Sequence, residues 1–427
     1  MLQTSASNRS PALPARALQA LRPWALLAVV AGLSSCGDDN CGNCYFPPPS
    51  YTPYQVSYGL VAGNFTNNGF TSVVATNTVK SGYAPYPGNL AAYLSTGAGA
   101  YAAPVLTSAG DNPLYLATAD INGDHLPDIV SASYEDGTLS VFFNDAASPG
   151  TFNAPLVLSS PGASQVAIAD MNGDGMPDLI SADFNVSLFL QTSPGTFANP
   201  IPLYSGGANW VAVGDLNDDG MPDVALTDNT GVELLFHTGV AAATTYAAPV
   251  TIYAEPSGSI VGGNLIAIAD LTNNGLNDLV ITDPGPPGGA TPTVQVLLQD
   301  PANHGGFLAP VSYPTVAGSL ASSIVVTDVN GDGLPDIVIG GGSAVTVLLQ
   351  NAAAPGSFLA ASNYPVSYAN QIAVADVNGD GLVDIIIGTG PTQPVVGGVI
   401  TNHPGVLLQI AAAPGTFGAV QDLPFPN

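Results

Sequence analysis

The sequence predicts an all-β fold: a seven-bladed β-propeller of four-stranded blades, with an aspartate-rich loop between the first and second strands of each blade. Three observations predict it. One nonapeptide pattern recurs along the chain, four short apolar segments accompany each copy, and the composition suits turns and strands rather than helices. The 427 residues include 49 Gly and 38 Pro, are 46% hydrophobic, and carry four Lys+Arg against 31 Asp+Glu, poor material for solvent-facing helices.

The nonapeptide reads D-x-N-x-D-G-x-x-D. Its copies are DINGDHLPD from Asp120, DMNGDGMPD from Asp170, DLNDDGMPD from Asp215, DLTNNGLND from Asp270, DVNGDGLPD from Asp328 and DVNGDGLVD from Asp376, with a degenerate NFTNNGFTS from Asn64. Successive starts lie roughly fifty residues apart, the length of one propeller blade. Seven such periods, from residue 54 to 427, close a ring.

Within a period the innermost strand comes first. Four residues before the motif the side chain is bulky (Leu60, Leu116, Val166, Val211, Ile266, Ile324, Ile372), and three residues before it is mostly small (Val61, Ala117, Ala167, Ala212, Ala267, Val325, Ala373). That alternation is the period of a strand, and one small face suits the crowded axis of a ring. The motif follows as the loop into a second apolar strand. Third strands recur as TLSVFFND, VELLFHTG, TVQVLLQD, AVTVLLQN and GVLLQI, and a PGTF-like turn leads into the fourth. Most connections from the second to the third strand are short; those over 76–89, 283–292 and 388–405 are long.

The period, the VAIADMNGDGMPDLI core and the GTF-x-AP segment resemble the FG-GAP/VCBS repeats of integrin-α-like propellers, from residue 54 to the end of the sequence. The resemblance implies seven blades and calcium in the loop between first and second strands. It does not specify a ligand, because fold does not fix function.

Residue chemistry supports calcium separately. Ca2+ takes six to eight hard oxygens, and Asp, Asn and Asp at positions 1, 3 and 5 of a tight turn offer three, with Gly at position 6 permitting the bend. Position 7 adds a carbonyl and the Asp at position 9 a further carboxylate. The expected ligands are Asp120, Asn122, Asp124 and Asp128; Asp170, Asn172, Asp174 and Asp178; Asp215, Asn217, Asp219 and Asp223; Asp270, Thr272, Asn274 and Asp278; Asp328, Asn330, Asp332 and Asp336; and Asp376, Asn378, Asp380 and Asp384. Of the 31 acidic residues, 17 occupy positions 1, 5 or 9 of these six copies, too selective for a merely solvated surface. Five strong sites are expected, with the Asp270 copy weaker because it keeps two carboxylates, and none at Asn64, which keeps no carboxylate. His125 replaces the glycine of the Asp120 copy and is expected to strain the turn. The metal-free alternative is a set of Asx-turns that only hold hairpins.

The first 35 residues read as an export signal, with Arg9, Arg16 and Arg22 before an apolar run from Trp24 to Leu33 that is too short to span a bilayer. The following Leu33-Ser34-Ser35-Cys36 resembles a lipobox, which implies diacylglyceryl attachment at Cys36, cleavage before it, and anchoring to a bacterial cell envelope. Residues 36–53 then form a tether, where Cys41 and Cys44 suit a local disulfide in an oxidising compartment. Loss of three arginines and no acid moves the formal charge from −27 to −30. Such a domain repels nucleic acid and anionic membrane surfaces.

No H-E-x-x-H, G-x-S-x-G or P-loop pattern occurs, and His125, His237, His304 and His403 show no ligand or triad spacing. The expectation is a monomeric, non-enzymatic surface propeller for adhesion or for recognition of a glycan or protein. Candidate contacts are Lys80, Tyr83, Tyr86 and His403, on long connections of the first and seventh blades, which neighbour each other in a closed ring. The alternative is an accessory or catalytic propeller of a polysaccharide-degrading enzyme, which needs acids outside the loops such as Glu135, Glu233, Glu255 or Asp183. A purely structural lipoprotein is a third reading. Five residues before each motif stand Gly59, Tyr115, Gln165, Trp210, Leu265, Ser323 and Gln371, whose variation suggests local packing at the axial mouth, with Trp210 in the core.

Overall fold

The computed structural model describes residues 54–56, 58–80, 87–97, 99–182, 184–228, 230–239, 245–254, 264–285, 291–315, 321–366, 368–388 and 404–423. Every described residue belongs to the second of two units, Ser50–Asn427. The expected signal, the lipid-bearing Cys36, Cys41 and Cys44 therefore lie outside the described residues.

The described residues of the second unit form seven antiparallel blade sheets in sequence order, one per period, and two small two-stranded sheets. In blade 2, Pro113–Ala119 is innermost, Asp128–Ser133 second, Thr138–Phe142 third and Leu156–Ser159 outermost. The inner and second strands of the others are Gln165–Ala169 and Asp178–Ala182, Trp210–Gly214 and Asp223–Thr227, Ile266–Ala269 and Asp278–Asp283, Ala321–Thr327 and Asp336–Gly341, and Ile372–Ala375 and Asp384–Ile387. Each nonapeptide thus links inner to second strand, and its position 9 is the first residue of the second strand. No helix occurs among the described residues.

Blade 1 departs from the expected connection lengths. Its second and third strands, Ser72–Lys80 and Pro87–Tyr93, run several residues beyond their counterparts, so what reads as a long connection over 76–89 is mostly strand, with only 81–86 between. The extension has a partner: Tyr54–Val56 pairs with it in the register Tyr54↔Lys80, ahead of the inner strand Leu60–Gly63.

Seven hydrophobic clusters hold the ring, and each spans one blade boundary. Leu116, Ile129 and Phe142 of blade 2 pack on Val61, Val74 and Leu90 of blade 1. Val345 and Val347 of blade 6 meet Ile385 and Leu407 of blade 7. Closure follows where Leu60, Val73 and Tyr93 of blade 1 meet Val377, Ile386 and Val406 of blade 7. Second strands are buried on both faces, as in DIVSAS from Asp128, because each face serves a different boundary. Burying one such Val, Leu or Phe side chain contributes about 1.5–3 kcal/mol.

Candidate metal centres

Every loop is built from Asx oxygens turned back on the backbone. In the Asp328 loop, Asp328 Oδ1 accepts the N–H of Asp332 (3.2 Å), Oδ2 that of Gly333 (2.8 Å), Asn330 Oδ1 that of Asp332 (2.8 Å), and Asp332 Oδ1 that of Leu334 (2.9 Å). The loops at Asp120, Asp170 and Asp215 repeat this pattern; at Asp376, Oδ1 accepts from Gly379 rather than from Asp380, and at Asp270 the amide of Asn274 takes the place of the second carboxylate. Position 6 sits in the left-handed region, with Gly333 at φ 85°. His125 adopts φ 70° there without the freedom of glycine, which is the strain expected from its sequence.

Position 9 is set apart from the other expected ligands. Asp128, Asp178, Asp223, Asp278, Asp336 and Asp384 are fully or almost fully buried, while positions 3 and 5 lie towards solvent. One oxygen of each accepts the N–H of position 2: Ile121 at 2.9 Å, Met171 at 2.9 Å, Leu216 at 2.8 Å, Leu271 at 2.9 Å, Val329 at 3.0 Å and Val377 at 3.2 Å. The other accepts an N–H just beyond the third strand, from Asn144, Gln191, His237, Gln299, Gln350 or Gln409. The carboxylate therefore pins three segments of a blade together. Burial pushes these carboxyls up to about 6 in Asp128, Asp178, Asp223, Asp278 and Asp336, and upwards in Asp384; the backbone N–H bonds oppose the rise and neighbouring loop carboxylates add to it.

The donor set suits a hard cation: oxygens only, with surplus negative charge on an exposed turn. Among the described residues no group of three or more His, Cys, Asp or Glu side chains is placed so as to hold a metal ion by itself. The Asn64 loop provides an internal comparison. Asn64 Oδ1 accepts from Asn68 (3.0 Å) and Gly69 (3.3 Å), and Asn68 Oδ1 accepts from Phe70 (2.9 Å), so the same turn forms with no carboxylate. At position 9 of this copy, Ser72 Oγ accepts the N–H of Ser95 at 3.0 Å.

An amide clasp to the preceding blade, in blades 2, 5 and 7, was not anticipated; in blades 3 and 6 the glutamine donates within its own blade alone, Gln191 to Pro177 O and Gln350 to Pro335 O, each at 2.7 Å. Gln409 Nε2 donates to the carbonyls of Val383 in its own blade (2.7 Å) and Val329 in blade 6 (2.6 Å); Gln299 does the same to Asn277 (3.0 Å) and Leu216 (2.9 Å), and Asn144 to Pro127 (3.1 Å) and Phe65 (2.8 Å). The signal was present as the recurrent LQ that ends the third strands. Blade 4 carries His237 there instead, stacked edge-on against Tyr246 at 5.3 Å, with Nε2 buried and unpaired.

On the face opposite the loops, side chains from non-adjacent blades meet near the axis. Tyr115 of blade 2 and Trp210 of blade 4 meet edge-to-face at 5.2 Å, and Gln165 Nε2 donates to Val211 O (3.1 Å). Gln371 of blade 7 accepts from Leu60 N (2.9 Å) and Leu116 N (3.3 Å) and donates to Leu116 O (3.0 Å), joining three blades. Of the candidate ligand contacts, Tyr83, Tyr86 and His403 lie outside the described residues, and Lys80 is placed by its backbone alone. Among the acids outside the loops, Glu135 is exposed on a turn and Glu233 is buried, accepting from Thr251 Oγ1 at 2.7 Å. Asp183 and Glu255 lie outside the described residues.

The FG-GAP-like repeat family matches the chain at residues 120–181, 170–226, 270–339 and 328–387, each match starting on a motif's first aspartate and ending in the next blade's second strand. No curated protein matches in sequence. Among solved structures, an Agrocybe aegerita lectin described for specific recognition of non-reducing terminal N-acetylglucosamine is 18% identical over 73% of this chain and 80% of its own, with a TM-score of 0.50. The V. cholerae biofilm matrix protein Bap1 is 12% identical, covering 79% and 84%, at 0.43. The exotype rhamnogalacturonan lyase YesX is 13% identical, covering 80% and 71%, at 0.47. Similarity at this level is one of fold.

Proposed function

The chain belongs to the FG-GAP-like repeat family, and from that premise we propose that it is a calcium-stabilised recognition propeller, exported and held at a bacterial cell envelope through a lipid on Cys36. Positions 1, 3 and 5 of the six acidic loops would hold the ion, with the carbonyl of position 7 and the lone pairs that position 9 keeps beyond its backbone bonds. Calcium supplies charge neutralisation and a fixed turn; the chain's own residues supply the hairpin, its burial and, in blades 2, 5 and 7, the clasp to the preceding blade.

One observation carries the calcium reading. The Asn64 loop reaches the same turn with amide oxygens, so the paired aspartates at positions 1 and 5 elsewhere are not required by shape. They bring mutual repulsion that a divalent cation relieves. Calcium titration calorimetry on the full chain is expected to show five strong sites and one weaker; saturation at seven equivalents, or no binding, overturns this reading.

Recognition is preferred to polysaccharide cleavage because cleavage by a carboxylate pair needs two acids facing one substrate space. Of the described acids outside the loops, the more buried ones are already bonded, Glu233 to Thr251, Asp228 to Tyr204 and Thr230, and Asp283 to Tyr253 and Gly285, while Glu135 stands at an exposed tip. The formal charge of −27 favours neutral glycans or basic protein surfaces over acidic glycans. A glycan array probed with and without chelator tests this: turnover of any bound polysaccharide in place of stable retention sinks the recognition reading.

A further inference from the structure

We propose that the Asp270 loop couples the loops on either side of it, so that calcium binding at the Asp215 loop of blade 4 and at the Asp328 loop of blade 6 is cooperative. The proposal rests on the calcium reading above. In sequence the Asp270 copy differs from its siblings at two positions outside the ligand pattern. Position 4 is Asn273, where the loops at Asp120, Asp170, Asp328 and Asp376 have Gly, and position 8 is Asn277, where those at Asp120, Asp170, Asp215 and Asp328 have Pro. Glycine and proline offer no side-chain donor; asparagine does.

Both asparagines reach into a neighbouring loop. Asn277 Nδ2 donates to the carbonyl oxygen of Asp215 at 2.8 Å, and Asn273 Nδ2 donates to that of Gly333 at 3.2 Å. The acceptors belong to the turns that would hold the ions. Asp215 is position 1 of its loop, and its carboxylate accepts from Asp219 (3.2 Å) and Gly220 (2.8 Å). Gly333 is position 6 of its loop, tied by its N–H to Asp328 Oδ2 at 2.8 Å. Blade 5 grips the blade 4 loop twice more, through Gln299 on Leu216 O (2.9 Å) and His304 Nδ1 at 3.3 Å from Asp218 Oδ2.

Between these two outward bonds the Asp270 loop is itself stiff, because Asp270 accepts from Asn274 (3.0 Å) and Gly275 (2.7 Å). An ion that fixes either neighbouring turn fixes the carbonyl which the asparagine holds, and so lowers the ordering cost at the other. That is a contiguous hydrogen-bonded route with two ends, and linkage makes its effect reciprocal. The loop that has given up a carboxylate is the one that bridges.

The test follows calcium-dependent amide exchange of residues 215–223 in the full chain, which reports the blade 4 loop alone. Crippling the blade 6 site with Asp328→Asn and Asp332→Asn is expected to raise the calcium concentration needed to protect residues 215–223 by about fivefold or more. In a background of Asn273→Gly and Asn277→Pro, which installs the residues the sibling loops carry, the same lesion is expected to shift it by less than about twofold. Equal shifts in both backgrounds overturn the coupling. So does the absence of a shift in the wild-type background, which decides the matter even if the bridging variant does not fold. Absence of calcium-dependent protection in every loop instead overturns the calcium reading on which the coupling stands.

Discussion

The buried aspartate at position 9 is where residue chemistry and stability meet. Its carboxyl is fixed by backbone N–H groups on both oxygens yet pushed up to about 6 by burial in five of the blades. A carboxyl whose folded value lies above its unfolded value near 3.8 holds its proton more tightly in the folded state. That contribution is fully present below pH 4 and is lost as pH rises through about 6. In chelator, the denaturant midpoint is therefore expected to fall between pH 4 and pH 7, and calcium added at pH 7 is expected to restore it by favouring the ionised form. A midpoint that rises over this interval in chelator contradicts the assignment. The same residues show what sequence left open: their recurrence was legible, but not that they face inward, because burial depends on strands far away in the chain.

At the scale of the element, the blade is a unit of four strands joined by a loop at one end, with an amide clasp near it in blades 2, 5 and 7. The loops were legible because position-specific Asp, Asn and Gly have a local physical meaning in a tight turn. The clasps were less so, since a glutamine after an apolar strand has no local signature and gains its role only when the adjacent blade presents a carbonyl. Blade 4 tests this account. His237 leaves Nε2 buried without a partner, whereas glutamine at this place reaches two carbonyls in blades 5 and 7 and one, in its own blade, in blades 3 and 6. His237→Gln is expected to stabilise the protein by about 1 kcal/mol, measured as a shift in the urea midpoint. A loss of stability would show that the imidazole packing on Tyr246 outweighs the clasp.

For the whole molecule, stability resides in boundaries rather than in blades, as the seven inter-blade clusters show. Removing Gln371 tests closure directly, because it bonds to Leu60 of blade 1 and Leu116 of blade 2 from blade 7. Gln371→Ala leaves buried backbone groups unpaired and is expected to cost about 2–4 kcal/mol, at roughly 1–3 for each group, seen as a lower melting temperature. An unchanged melt would mean the apolar contacts of blades 1 and 7 close the ring without it.

The amino-acid sequence by itself determined the number of blades, the place of the loops and the small face of the inner strands. Each of these is written in short-range periodicity, and a period survives wherever the chain goes. Tertiary structure alone decided which carboxylate is buried, which amide reaches a neighbour, which loop bridges two others and how far the strands of blade 1 extend. Those depend on surfaces brought together by ring closure, where the partner lies a full blade or an entire chain length away, as in the 311-residue span between Leu60 and Gln371.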